Sequence, residues 1–198
     1  MFKASKGATE GTGLSYLDMP YCGPTKIQDV SIEEINDTPN CWKVVFGELE
    51  GTDVKGNQLK PGTTHEHVEW AYDESDSDEK NQNKIDRIAY IAGKVAPKER
   101  VEAIQADNWE DYISAITQLM EQAGYTTKQL YMKAVGNVYN GKARVKFPGY
   151  RDFLSTEPDL GFSAKEQASN EEYLAAMAAP ASQATDEGIV EDVENAAF

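Results

Sequence analysis

Between Lys128 and Arg151 the chain reads KQLYMKAVGNVYNGKARVKFPGYR, with six basic residues and no acidic one in a protein of formal charge -15. Asn140-Gly141 near its middle is a hairpin signal, because both residues tolerate the positive φ that a type I′ turn requires. Pairing outward from that turn sets Tyr139 opposite Lys142, Val138 opposite Ala143, Asn137 opposite Arg144, Gly136 opposite Val145, Val135 opposite Lys146 and Ala134 opposite Phe147. Strand side chains alternate between faces. One face therefore collects Tyr131, Lys133, Val135, Asn137, Tyr139, Lys142, Arg144 and Lys146, and the other Leu130, Met132, Ala134, Val138, Ala143, Val145 and Phe147. The second face is expected in the core, and the first is basic and aromatic.

Cations that track phosphates, interleaved with rings on which unpaired bases stack at about 1–3 kcal/mol each, are what a single-stranded nucleic acid needs from a protein. Stacking accepts any base, so the expected binding is tolerant of sequence. Tyr150, Arg151 and Phe153 could extend this surface, and Trp42, Lys43, Lys55 and Lys60 form a second candidate set. The plainer alternative is that lysines on an exposed strand guard against edge-to-edge pairing.

Other chemistry is less well supported. Cys22 and Cys41 lie nineteen residues apart, so with His65 and His67 they lack the tight cysteine pair from which structural zinc sites are usually built. No metal or cofactor is expected, and His65-x-His67 reads as two polar residues on the solvent face of a strand. The chain has no glycine-rich phosphate loop and no nucleophile in a recognisable setting, and its paired acids sit in polar runs that would not shift a pKa. It is not expected to be an enzyme. The lack of an apolar run of membrane-spanning length, and of a hydrophobic segment for a secretion signal in MFKASKGATEG, leads to a cytoplasmic expectation, in an infected bacterial host if the chain is phage-encoded, where Cys22 and Cys41 would stay reduced.

The charge is unevenly spread. From Glu166 onward there are eight acidic residues and no basic one, and Asp73, Glu74, Asp76, Asp78 and Glu79 form a second acidic cluster. Outside these two segments the chain is close to neutral, which permits a local basic groove on an acidic protein.

The elements that must position the hairpin follow from the periodicity. Strands are expected from near Lys26 to Ile35, over Trp42–Leu49 and over Glu66–Tyr72, where Val68, Trp70 and Tyr72 alternate with His67, Glu69 and Ala71. A turn is expected over Asn36–Asn40, and LSYLDMPYCGPTK at 14–26, with Pro20, Gly23 and Pro24, reads as an ordered loop at most. Ile85, Ile88, Ile91, Ala92 and Val95 form one helical stripe. Trp109, Tyr112, Ile113, Ile116, Leu119, Met120 and Ala123 form a second, with Asp107 and Glu110 as a capping arrangement and Gly124 as its stop. The expected fold class is mainly β with a helical insertion: a partly open five-stranded barrel of the oligonucleotide-binding type over residues 1–165, with the insertion at about 80–124. A four-stranded α+β sheet would give the same string. Residues 166–198, alanine-rich and then acidic, are expected to be a disordered tail in which Asn170–Ala178 could form at most a weak helix, since little there can build a core.

In layout the chain resembles phage single-stranded DNA-binding proteins of the oligonucleotide-binding fold, such as that of phage T7, and more loosely bacterial SSB. Asp186, Glu187, Glu191, Asp192 and Glu194 precede a terminal Phe198, similar to the acidic, Phe-ending tails of those families. The resemblance implies a role in DNA replication, recombination and repair, with single-stranded DNA as ligand. It also implies replication or recombination proteins docking on the tail, and a tail that competes for the basic groove. Homo-oligomerisation is compatible with it. The alternative is an acidic interaction adaptor or nucleic-acid mimic, which explains the charge but leaves the basic face without a purpose.

Overall fold

A computed structural model describes residues 15–149 and 151–178. It is a mixed α/β structure with a seven-stranded sheet and four α-helices. The strands are β1 (Ser15–Tyr16), β2 (Tyr21–Ile35), β3 (Thr38–Gly47), β4 (Thr63–Glu69), β5 (Leu130–Tyr139), β6 (Lys142–Lys146) and β7 (Leu154–Ser155). Helices α1 (Asp78–Ala92), α2 (Lys98–Glu102) and α3 (Trp109–Gln122) fill the interval between β4 and β5, and α4 (Ala164–Ala178) follows β7.

The long β2 organises the sheet. Its C-terminal part pairs antiparallel with β3 from Lys26 to Ile35, and its first residues, Tyr21 to Thr25, pair instead with β5. The strand order is therefore β1-β4-β3-β2-β5-β6, with β7 added on β5. Pro24 lies where β2 pairs with β5 but not with β3, so its missing donor interrupts no second ladder. The stretch 14–26, expected to be a loop, thus holds β1 and, from Tyr21, the start of the longest strand. The β2–β3 turn is confined to Asn36 and Asp37, both with positive φ, and Thr38–Asn40 already belongs to β3.

No ladder joins β4 to β6 among the described residues, so hydrogen bonds do not close the sheet. Rings cross the gap instead. Phe147, just beyond β6, stacks on Phe153 at 4.2 Å between centroids and meets Phe46, His65 and His67 at 5.3, 4.8 and 5.1 Å. The Tyr90 hydroxyl of α1 holds the other side of the stack: it donates to Leu154 O at 2.6 Å and accepts from the Asp152 amide.

β4 faces the opposite way from the expectation. His65 is buried and His67 half-buried against these rings, while Trp70 and Tyr72, beyond the strand end, are exposed. The inward polar groups are satisfied from α1 and from each other: Arg87 Nη1 donates to Glu69 Oε1 at 2.8 Å, and His67 Nε2 lies 2.7 Å from the same oxygen. A buried carboxylate needs such partners, and here one comes from the next inward position of the same strand and the other from α1.

The helical insertion agrees with its stripes. Ser77 caps α1, with Asp78 and Glu79 in its first turn, and Ile88, Ile91 and Ala92 are buried. α3 buries Ile113, Ile116, Leu119 and Met120, and Gly124, with φ +66°, follows its end. Its cap is Asn108, whose side chain accepts from the Asp111 amide, rather than the expected Asp107–Glu110 arrangement. Cys22 and Cys41 are both free, and no group of three His, Cys, Asp or Glu among the described residues could hold a metal ion. No helix of the described residues is long and apolar enough to cross a membrane.

The region expected to be disordered begins as a helix. α4 packs on β5, so the boundary expected at 165/166 falls inside its first turn. Residues 179–198, and with them Asp186, Glu187, Glu191, Asp192, Glu194 and Phe198, lie outside the described residues.

Burial lowers the His65 pKa from 6.5 to about 3, with a smaller contribution from His67. The unfolded chain therefore binds a proton at His65 at pH values where the folded chain does not. This contribution to stability is complete above about pH 6.5 and is lost progressively towards pH 3. Urea unfolding at pH 7 and pH 5 should show a loss of about 2 kcal/mol from this residue in the wild type, which His65→Leu removes. An identical acid loss in the variant would place the titration elsewhere.

Candidate nucleic-acid interface

The β5–β6 hairpin has the register expected from its turn: Tyr139 pairs with Lys142, Val138 with Ala143, Asn137 with Arg144, Gly136 with Val145 and Val135 with Lys146. Asn140 and Gly141 have φ of 49° and 70°, as a type I′ turn requires. Leu130, Met132, Ala134 and Phe147 are buried, as expected of the core face. The basic face is divided in two by α4.

Near the base of the hairpin the helix covers the strand. Ser163 and Glu166 form a capping box: the Glu166 amide donates to Ser163 Oγ, and the Ser163 amide donates to Glu166 Oε2 at 2.7 Å. Glu166 also accepts from Lys133 Nζ at 3.0 Å, and that ammonium donates to Gly161 O as well. Burial alone would raise the Glu166 pKa, but the Ser163 hydrogen bonds and the Lys133 ammonium outweigh it and hold it below the usual glutamate value. Further along, Asn170 Oδ1 accepts from the Gly136 amide at 2.8 Å and Ser169 Oγ donates to Gly136 O at 2.7 Å. The Tyr173 hydroxyl donates to Asp18 O.

Lys133 is therefore buried and paired, which corrects its expected place on an open surface. Val135 is buried beside it and Tyr131 is half-buried, flanked in the sheet by Pro24 and Ser155.

Past Gly136 the hairpin is open. Tyr139 is 61% exposed, Arg144 lies over its ring at 5.5 Å, and Lys142, Arg144 and Lys146 are exposed. None of these three cations has an ion-pair partner among the described residues. A ring held beside a guanidinium, with the Lys142 ammonium across the strand pair and Lys146 further along the same face, can stack a base while its neighbours contact phosphate. Arg151 is exposed nearby, 4.0 Å from Asp86, and Tyr150 lies outside the described residues.

The second candidate set does not form a comparable surface. Trp42 is fully buried, and its Nε1 donates to Thr117 Oγ1 of α3 at 3.1 Å; it anchors the insertion to the sheet and offers no stacking face. Lys43 is paired with Glu33 at 2.7 Å, and this hydrogen bond, with Glu66, Glu33 and Asp29 around it, raises its pKa. One lysine among three carboxylates does not make a basic face. Lys55 and Lys60 are exposed on the β3–β4 loop, which the Asp53 carboxylate holds by accepting from the Lys55 and Asn57 amides.

Two features were missed at the level of sequence. Ser163-Ala-Lys-Glu166 carries the capping-box pattern that announces a helix start, and Lys165 within it is exposed beside the hairpin. The chain matches no protein-family model, no curated protein and no solved structure.

The fit of α4 on β5 depends on the missing side chain at Gly136, where a Cβ would lie 2.3 Å from Tyr173 Cβ and 2.4 Å from Cγ. Gly136→Ala should therefore displace the helix, at about 1–3 kcal/mol for an overpacked contact. Hydrogen exchange should accelerate over residues 164–178 while β2 and β3 keep their protection. Unchanged exchange over α4 would mean that the contact yields to a methyl group.

Proposed function

We propose that this protein binds single-stranded DNA with little regard to sequence, as a non-catalytic, cytoplasmic protein of phage replication, recombination and repair. The observation that carries this is the exposed face of the β5–β6 hairpin, where Tyr139 stands with Arg144 over its ring, Lys142 opposite it and Lys146 further along the strand, both lysines without an ion-pair partner among the described residues. The topology supports an oligonucleotide-binding type of barrel, partly open. One long strand is shared between two ladders, helices are inserted between the third and fourth main strands, and the hairpin of the last two projects a loop where such folds bind nucleic acid. The aromatic seam between β4 and β6 stands where the barrel would close.

In this proposal the acidic residues Asp186, Glu187, Glu191, Asp192 and Glu194, with Phe198, serve as a tethered segment. It would compete for the cations when DNA is absent and dock replication or recombination proteins when DNA displaces it. The Glu166–Lys133 pair supports the first role, since it shows a carboxylate from the same acidic region neutralising a cation of the hairpin.

Titration of labelled oligothymidine and of duplex of equal length, at two salt concentrations, tests this directly. The single strand should bind more tightly, and more weakly as salt rises. Charge reversal at Lys142, Arg144 and Lys146 should weaken binding and flatten the salt slope. Tyr139→Ala should cost about 1–3 kcal/mol with little change of slope, because stacking releases no counterions. No binding of either nucleic acid at low salt would favour the acidic adaptor instead.

A further inference from the structure

α4 does more than cover the base of the hairpin. Between the helix and the strands lies a groove of about 430 Å3, with Val135 and Asn137 along β5, Lys146 on β6, Lys165 and Ser169 on α4, and Pro148 beyond β6. Its size falls in the range of about 300–1,000 Å3 typical of small-molecule sites, enough for a single nucleotide unit. Lys146 and Lys165 are both exposed, come from the strand side and the helix side, and have no ion-pair partner among the described residues. Glu166, the acid lining this groove, is already engaged by the Lys133 ammonium and the Ser163 amide. The uncommitted charge of the groove is therefore positive. The groove adjoins a second one of about 580 Å3 that shares Pro148, Gly149, Ser163 and Glu166, but there Arg151 stands with Asp86, 4.0 Å away, and Asp152, so the positive charge is confined to the side of Lys146 and Lys165.

We infer that the cleft between α4 and the hairpin is a nucleotide subsite in which a backbone phosphate lies between Lys146 and Lys165. This rests on single-strand binding at the hairpin, proposed above, and gives it a direction. The strand leaves the stacking platform at Tyr139, passes Arg144 and enters the cleft at Lys146. α4 then acts as the second wall of the site, and Lys165 as a phosphate ligand contributed from outside the barrel.

The test is the salt dependence of oligothymidine affinity, over about 50 to 200 mM, for the full chain and single alanine variants. Lys165→Ala should make the slope of log K against log salt shallower by about 0.7, the value for one phosphate contact on a single strand, and weaken binding at low salt. Lys98→Ala, the same charge change on α2 away from the cleft, should leave the slope unaltered. The double variant Lys146→Ala, Lys165→Ala should lose about 1.4 from the slope. If Lys165→Ala behaves as Lys98→Ala does while Lys142→Ala weakens binding, the cleft is no subsite and hairpin binding stands. If the wild-type chain binds no oligothymidine at all, both fail together.

Discussion

The absence of a side chain at Gly136 decides what the hairpin can offer. Because a Cβ there would collide with Tyr173, only glycine lets α4 approach β5 closely enough for Asn170 and Ser169 to bond its backbone. That approach buries Lys133 against Glu166 and leaves Tyr139, Lys142, Arg144 and Lys146 as the accessible cations and ring. A basic face that would otherwise run the length of the hairpin is thereby split into a sealed base and an open tip. The helix is held chiefly by polar contacts and one tyrosine, so its hold on the strand is specific in position.

The sheet depends on a second arrangement, the ring-lined seam between β4 and β6. Aromatic contacts there replace a ladder, and the polar side chains beneath them are sustained by Arg87, which spans from α1 to Glu69. The helical insertion therefore completes the core: Tyr90 fixes the Asp152–Leu154 segment, and Trp42 ties β3 to α3. The hairpin projects from a rigid base, which suits a surface that must present a ring and three cations in fixed relation.

What was legible in the sequence was what local rules govern. Asn140-Gly141 gave the hairpin its register, and the spacing from Trp109 to Met120 gave α3 its buried face. What was not legible depended on partners far along the chain. His65 and His67 look like solvent residues until Phe147 and Arg87 are placed beside them, and Trp42 looks like a stacking platform until Thr117 is found at its indole nitrogen. α4 was legible only as a weak helix over Asn170–Ala178, without its first turn or its packing on β5, because its sequence lacks an apolar stripe. Alanines and acids read as an unfolded tail, whereas Glu166, Ser169, Asn170 and Tyr173 each find a specific partner on the rest of the fold.

The central claim is that a single strand lies on the open tip of the hairpin, and photocrosslinking locates it most directly. The full chain would be irradiated with oligothymidine carrying bromodeoxyuridine, and the crosslinked peptides mapped. Adducts should fall on Tyr139 and its immediate neighbours between Val138 and Lys146. Trp70 and Tyr72 are also exposed aromatics, at the far end of β4. Adducts concentrated on those two residues, with the hairpin unmodified, would contradict the claim.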